Sequence, residues 1–206
     1  GGPRKMLRLE DGRLLVGGGS DGGIHRLLSD GTLDSSFQGP ASLGRFQRNY
    51  VSDFELLPDG RILIAGVFTE IDGVPRVGVA RLLAGGSLDR SWTPAALPNG
   101  SEVYALAVLP DGRILIGGAF LTVGGQPHRN LALLRADGSV DPSLVDIIPN
   151  TNPAGIVNAF AVQPDGRVWV GGTFSGVSGR TYMFRLKTDG TVDTGFPDLG
   201  FTAGRE

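Results

Sequence analysis

The sequence predicts an all-β fold, a β-propeller built from four four-stranded antiparallel blades in a single domain over residues 1–206. Three observations carry this expectation. Asp-Gly-Arg recurs at Asp11, Asp59, Asp111 and Asp165, with spacings of 48, 52 and 54 residues. A period of that size marks propeller blades or other stacked units. A second anchor follows each copy and ends on Asp34, Asp89, Asp141 or Asp193, three residues before Phe37, Trp92, Leu144 or Phe196. Between the anchors, apolar residues fall in runs of strand length, with no amphipathic helical period. Four strands per unit favour a propeller over a flat or solenoidal array, because they overfill a solenoid coil.

The repeats run over roughly 1–45, 46–98, 99–152 and 153–206. In the third, the first strand is Val103 to Leu109, and Pro110-Asp111-Gly112 then makes a tight turn. Asp-Gly is expected to supply the positive φ angles of a two-residue hairpin. The second strand, Arg113 to Phe120, is a continuous apolar run, as expected of a strand covered on both faces. Its Gly117-Gly118 pair predicts a close backbone approach or a bulge. A variable loop leads to a third strand such as Arg76 to Leu83, and the second anchor turns into a short fourth strand.

The segments between a closing residue and the next Asp-Gly-Arg span 19 to 22 residues. The two chain ends, joined, would give one more segment of 21. Four repeats in cyclic permutation suit a closed four-blade ring, a four-blade portion of a larger propeller, or half of an eight-blade ring. Head-to-tail self-association through the termini is the corresponding assembly reading.

Composition narrows the function classes. The chain carries 34 Gly and 13 Pro, but 40% hydrophobic residues in ordered runs exclude a disordered, low-complexity chain. A net charge of −2 gives no reason to expect nucleic-acid binding. No apolar run reaches the roughly 18–20 residues of a membrane-spanning helix, so no membrane insertion is expected. The absence of Cys removes disulfides, thiolate chemistry and Cys-based zinc sites. No nucleophile motif, metal-ligand motif or phosphate loop is present. The expectation is therefore a non-enzyme with no cofactor and no metal.

Recurrence separates structural from functional candidates. Arg26, Arg81 and Arg185 recur once per blade, as do Asp34, Asp89, Asp141 and Asp193. Guanidinium can fork onto a carboxylate, so these residues are expected to form a structural brace between strands. The repeats diverge in the first strand, where Lys5, Asp53, Ala105 and Ala159 share one column and Leu7, Glu55, Ala107 and Ala161 share the next on the same face. Lys5, Asp53 and Glu55 are thus a candidate polar or cation site at the propeller axis. The loops between second and third strands supply Arg76, His128, Arg129, Arg180 and Tyr182, a candidate ligand-binding face.

The pattern Gln-Pro-Asp-Gly-Arg, three apolar residues, Gly-Gly-x-Phe, then Arg-Leu and Asp-Gly-Thr-Val-Asp-x-x-Phe, best seen from Gln163 to Phe196, resembles the delta-60 repeat of bacterial proteins. The resemblance covers essentially the whole chain. It implies a β-propeller-like fold and a place in large secreted or surface-attached bacterial proteins, with no general activity and no catalytic residues. Departures are Gly85 for the turn Asp, Leu133 for the recurring Arg, and Leu144 for the closing aromatic. Together these readings imply a non-catalytic binding or structural module that presents loops to a protein or carbohydrate. The alternatives are a carboxylate-dependent, glycan-active enzyme or metal site at the axis, and an assembly module.

Overall fold

A computed structural model describes residues 2–18, 23–44, 49–149, 155–179 and 181–195. It is all-β, with no helix among the described residues, and so no helix long and apolar enough to cross a membrane. Four antiparallel blades follow one another. The first comprises β1 (Lys5–Arg8), β2 (Leu14–Gly17) and β3 (Ile24–Leu27). In the second, β4 (Tyr50–Leu56) and β5 (Ile62–Val67) are followed by a small hairpin, β6 (Glu70–Ile71) with β7 (Val74–Pro75), before β8 (Val79–Leu82) completes the blade. The third repeats that plan with β9 (Glu102–Val108), β10 (Ile114–Ala119), the hairpin β11 (Thr122–Val123) and β12 (Gln126–Pro127), and β13 (Leu131–Leu134). The fourth holds β14 (Val157–Val162), β15 (Val168–Gly172) and β16 (Met183–Leu186).

The expected fourth strand is reduced to one bridge per blade: Leu27 with Leu33, Leu82 with Leu88, Leu134 with Val140 and Leu186 with Val192. Its extension is cut short by the next residue. Asp34 Oδ1 accepts the Ser36 N–H at 3.0 Å, and Asp89 Oδ1 accepts the Ser91 N–H at 3.0 Å, turning the chain away from the ladder.

The Asp-Gly turns also differ from the two-residue form. Only the glycine has positive φ, 87° at Gly12 and 83° at Gly112. The Gly12 N–H donates to Leu9 O and the Leu9 N–H to Arg13 O, which describes a type I turn closed by a glycine bulge. The aspartate stays at negative φ because its carboxylate accepts the N–H two residues on, 3.0 Å from Arg13 N to Asp11 Oδ1.

Three hydrophobic clusters fill the spaces between successive blades. One joins Leu15 and Ile24 to Phe54, Ile62 and Ile64; a second joins Leu63 and Ala65 to Leu106, Ile114 and Ile116; a third joins Leu115 and Leu131 to Val157, Val168 and Phe184. The central strands of the two inner blades, β5 and β10, therefore each feed two cores, which is why they read as unbroken apolar runs.

The glycine pairs set the geometry of these joints. β4, β9 and β14 each bulge by one residue, at Ser52, Tyr104 and Asn158, opposite the pair. A Cβ on the second glycine would overlap a first-strand carbonyl: Tyr50 O at Gly66, Glu102 O at Gly118 and Ile156 O at Gly172. The first position instead receives a knob from the next blade. A Cβ on Gly17 would lie 2.9 Å from the Phe54 ring, and one on Gly117 would lie 2.8 Å from Phe160 Cζ. Where this position is Ala65, the residue at the Phe54 and Phe160 position is the smaller Leu106, and both are buried.

Candidate functional site

Two regions carry the polar side chains singled out by sequence. The first is the axis, where the first strands of neighbouring blades approach one another. Lys5 Nζ lies 2.7 Å from Asp53 Oδ1 and 2.8 Å from Glu55 Oε1, so one ammonium on β1 clasps both carboxylates on β4. Lys5 thus reaches an adjacent blade rather than across a channel. Burial acts to lower its pKa, but hydrogen bonds to Asp53 and Glu55 outweigh burial and raise it.

Asp53 is further engaged by the backbone. Its Oδ1 accepts the Phe54 N–H at 2.9 Å, and its Oδ2 accepts the Leu106 N–H of blade 3 at 2.8 Å. The neighbouring Ser52 hydroxyl, placed by the bulge, lies 2.5 Å from Val103 O of blade 3. The axis residues therefore link three blades in series. Ser52 and the Asp53–Leu106 contact had no sequence signal, because both depend on the bulge and on a main-chain group 51 or 53 residues away.

The second region is the end of the blades that carries the β6–β7 and β11–β12 hairpins. Each hairpin is tied to inter-blade segments. Asp72, at φ 49°, accepts the Ala41 N–H at 2.9 Å and the Ser42 N–H at 3.0 Å on Oδ1. Arg76 donates to Pro75 O and, at 3.1 Å, to Trp92 O. Arg129 pairs with Asp146 through both its side chain and its N–H, the latter at 3.0 Å. His128 is buried beneath its hairpin, and burial lowers its pKa, with Asp146 opposing. Tyr182, at φ 66°, is half-buried and donates its N–H to Phe174 O. Arg180 lies outside the described residues. The charged groups expected to recognise a ligand therefore brace the loops in this structure. The exposed residues are the tips between them, Asp72-Gly73 and Gly124 to Pro127, with Leu121 beside them.

The recurring Arg and Asp residues pair within each blade. Arg26 Nε lies 2.7 Å from Asp34 Oδ2, Arg81 Nε 2.8 Å from Asp89 Oδ2, and Arg185 Nε 2.9 Å from Asp193 Oδ2. The same guanidiniums cover aromatic rings: Arg26 over Phe37 at 4.9 Å, Arg81 over Trp92 at 5.2 Å and Arg185 over Trp169 at 5.0 Å. In blade 3 both halves of this stack change together. Buried Leu133 stands for Arg, Leu144 stands for the aromatic, and Asp141 is left 3.9 Å from Arg113. Leu133 and Leu144 lie in one hydrophobic cluster, an apolar pair where blades 1 and 2 have a cation over the closing ring; in blade 4 the ring under the cation is Trp169 of β15.

The pairing fixes a pH dependence. Hydrogen bonds from Ser36 and Arg26 hold the Asp34 carboxyl well below its ordinary value. At Asp89 burial works upward, but the Ser91 hydroxyl and N–H and Arg81 together prevail and lower it. Lowered carboxylates stabilise fully above the ordinary carboxylate range, about pH 4 to 5, and that contribution is lost as pH falls through their folded values. A denaturant midpoint level from about pH 5 to 8 and falling below about pH 4 is expected. A midpoint that held constant to about pH 2 would rule these carboxylates out as stabilising groups.

The four repeats match the model of a family described as "Domain of unknown function (DUF5122) beta-propeller" over residues 9–37, 57–91, 109–144 and 163–196. No curated protein matches the chain. Among solved structures, streptogramin B lyase aligns with a TM-score of 0.60 and 18% identity, covering 93% of this chain and 53% of the lyase. A gluconolactonase from Xanthomonas campestris gives 0.51 and 19%, covering 91% and 59%. The extracellular domain of a putative one-component system from B. thetaiotaomicron gives 0.51 and 13%, covering 89% and 20%. At these identities the likeness is one of fold. The chain spans about half the length of the lyase.

Proposed function

The chain belongs to the DUF5122 β-propeller family, and from that premise we propose that it is a non-catalytic binding module of a secreted or cell-surface bacterial protein. Its partner is a protein or a carbohydrate, taken on the hairpin face. The observation that carries this reading is the pair of hairpins, β6–β7 and β11–β12, inserted at the same point of blades 2 and 3 and held by Asp72, Arg76, Arg129 and Asp146. A rigid scaffold with braced, exposed tips loses little conformational freedom on binding. The extracellular bacterial domain among the structural neighbours and the resemblance to delta-60 repeats support the location.

The competing enzyme reading needs accessible carboxylates at the axis. Asp53 is instead engaged by Lys5, Phe54 N and Leu106 N, a constellation that suits a staple better than an acid or base. A glycan array and a panel of immobilised extracellular proteins, probed with the wild type and with a Leu121→Ser/Gln126→Ala variant, test the proposal. Binding to one class, weakened at least about tenfold in a variant of unchanged melting temperature, is expected. Equal binding by the variant would remove the hairpin face, and turnover of a lactone or glycoside abolished by Glu55→Gln would replace the binding reading with the enzymatic one.

A further inference from the structure

The two hairpins stand at the same point of blades 2 and 3, and their return arms carry different bases at the same place. Arg76 follows β7 and His128 follows β12. Each donates its N–H at 3.0 Å to the residue before its hairpin, Thr69 O or Leu121 O. Beyond the backbone the two differ. Arg76 reaches the inter-blade segment and donates to Trp92 O at 3.1 Å. Its Nε is unpartnered, but guanidinium stays charged throughout, so nothing there titrates. The shorter imidazole of His128 reaches no such acceptor. It is 6% exposed, and among the described residues its Nδ1 is buried without a hydrogen-bond partner.

In a neutral ring Nδ1 can remain a bare acceptor. In an imidazolium it is a donor and shares a positive charge, and burial makes both costly. The charged groups around the ring are Asp146, on the inter-blade segment, and Arg129, next to it in the arm. Asp146 already serves Arg129 through both oxygens, and its attraction does not offset burial, so the pKa of His128 is lowered.

The arm has the build of a movable part. It is bounded by Gly124 and Gly125, at φ 59° and 77°, and by Asn130 at φ 63°. β11 and β12 form a two-stranded sheet separate from the blade sheet, and Pro127 brings no N–H to it. Gln126 and Pro127 are exposed, while Val123 on β11 is fully buried, so the return arm can lift with β11 in place.

We propose that the arm from Gln126 to Arg129 is a proton-operated part of the hairpin face: with His128 neutral it is seated, and in mildly acidic medium His128 takes a proton and the arm lifts. The β6–β7 arm, with Arg76 in that place, stays seated. As regulation of binding this rests on the binding reading above; as a movement of the arm it does not. Because burial lowers the pKa, seating is complete above the ordinary imidazole value, about 6.5, and weakens as pH falls from there toward the folded value. The arm yields before the blades do, so unfolding of the whole chain keeps its carboxylate dependence.

Amide exchange read by NMR tests this without a partner. The ratio of protection at the His128 and Arg76 N–H groups cancels the intrinsic pH dependence of exchange. It is expected to fall at least about threefold from about pH 7.5 to about pH 5.5 in the wild type, and to stay constant in His128→Gln. A constant ratio in the wild type, or a fall that survives in His128→Gln, would overturn the proposal. A partner of the hairpin face should be released over the same range by the wild type and kept by His128→Gln; equal retention by both would overturn the regulatory role. A constant exchange ratio leaves the binding reading standing, and failure to find any partner leaves the movement standing.

Discussion

Gly118→Ala is expected to destabilise the protein by about 3 kcal/mol or more, or to prevent folding, although it adds a single methyl group. Gly118 is not at positive φ, so the cost is not one of backbone conformation. The new Cβ would overlap Glu102 O, and a carbonyl already positioned by the β9 bulge cannot swing aside as a side-chain tip would. Gly66 and Gly172 meet the same obstacle at Tyr50 O and Ile156 O and should respond alike. The neighbouring Gly171→Ala is the contrast: its Cβ finds open space, and removing a glycine from a strand should leave stability unchanged or raise it by up to about 1 kcal/mol. Denaturant midpoints of the two variants decide the matter. Similar losses for both would show that glycine at the pair serves something other than backbone approach.

Phe54→Ala is expected to cost about 3–5 kcal/mol. The ring is fully buried, fills the hole above Gly17 and lies under the Lys5 ammonium at 5.5 Å. Its removal takes away transfer energy and leaves a cavity that Leu15 and Ile24 are too short to fill. Phe54→Leu, the size found at the next joint as Leu106, should cost less than about 1.5 kcal/mol. Calorimetric unfolding of both variants tests this, and a loss below about 1 kcal/mol for Phe54→Ala would show that the first joint is not packed as described.

Legibility followed the range of the interaction. The repeats, the turns and the central strands were readable because each rests on residues within a few positions of one another. The column of Lys5, Asp53 and Glu55 was readable because strand alternation alone puts those side chains on one face. The turn type was misjudged because Asp and Gly share the same preferences in two-residue and bulged hairpins, and the choice between them lies in the Asp11 to Arg13 N–H contact. The fourth strand was overextended because Asp34 and Asp89 were read only as partners of the recurring Arg, and their local turns onto the Ser36 and Ser91 N–H, which end the strand, were not. At the hairpin face, Arg76 and Arg129 read as candidate recognition groups because their partners, Trp92 O and Asp146, lie 16 and 17 residues further along the same repeat, where no strand or turn pattern pairs them.

The match between knob and hole bears on how such repeats diverge. Gly17 meets Phe54, Gly117 meets Phe160, and Ala65 meets Leu106, so volume is traded across each boundary and not held constant within a blade. A substitution on one blade is therefore compensated on the next, about 40 residues on, and not at the equivalent position of its own repeat. Aligning the repeats with one another averages over these pairs and hides them. The inherited unit of this fold is the boundary between two blades, and a duplication is neutral only when it copies the second half of one blade together with the first half of the next.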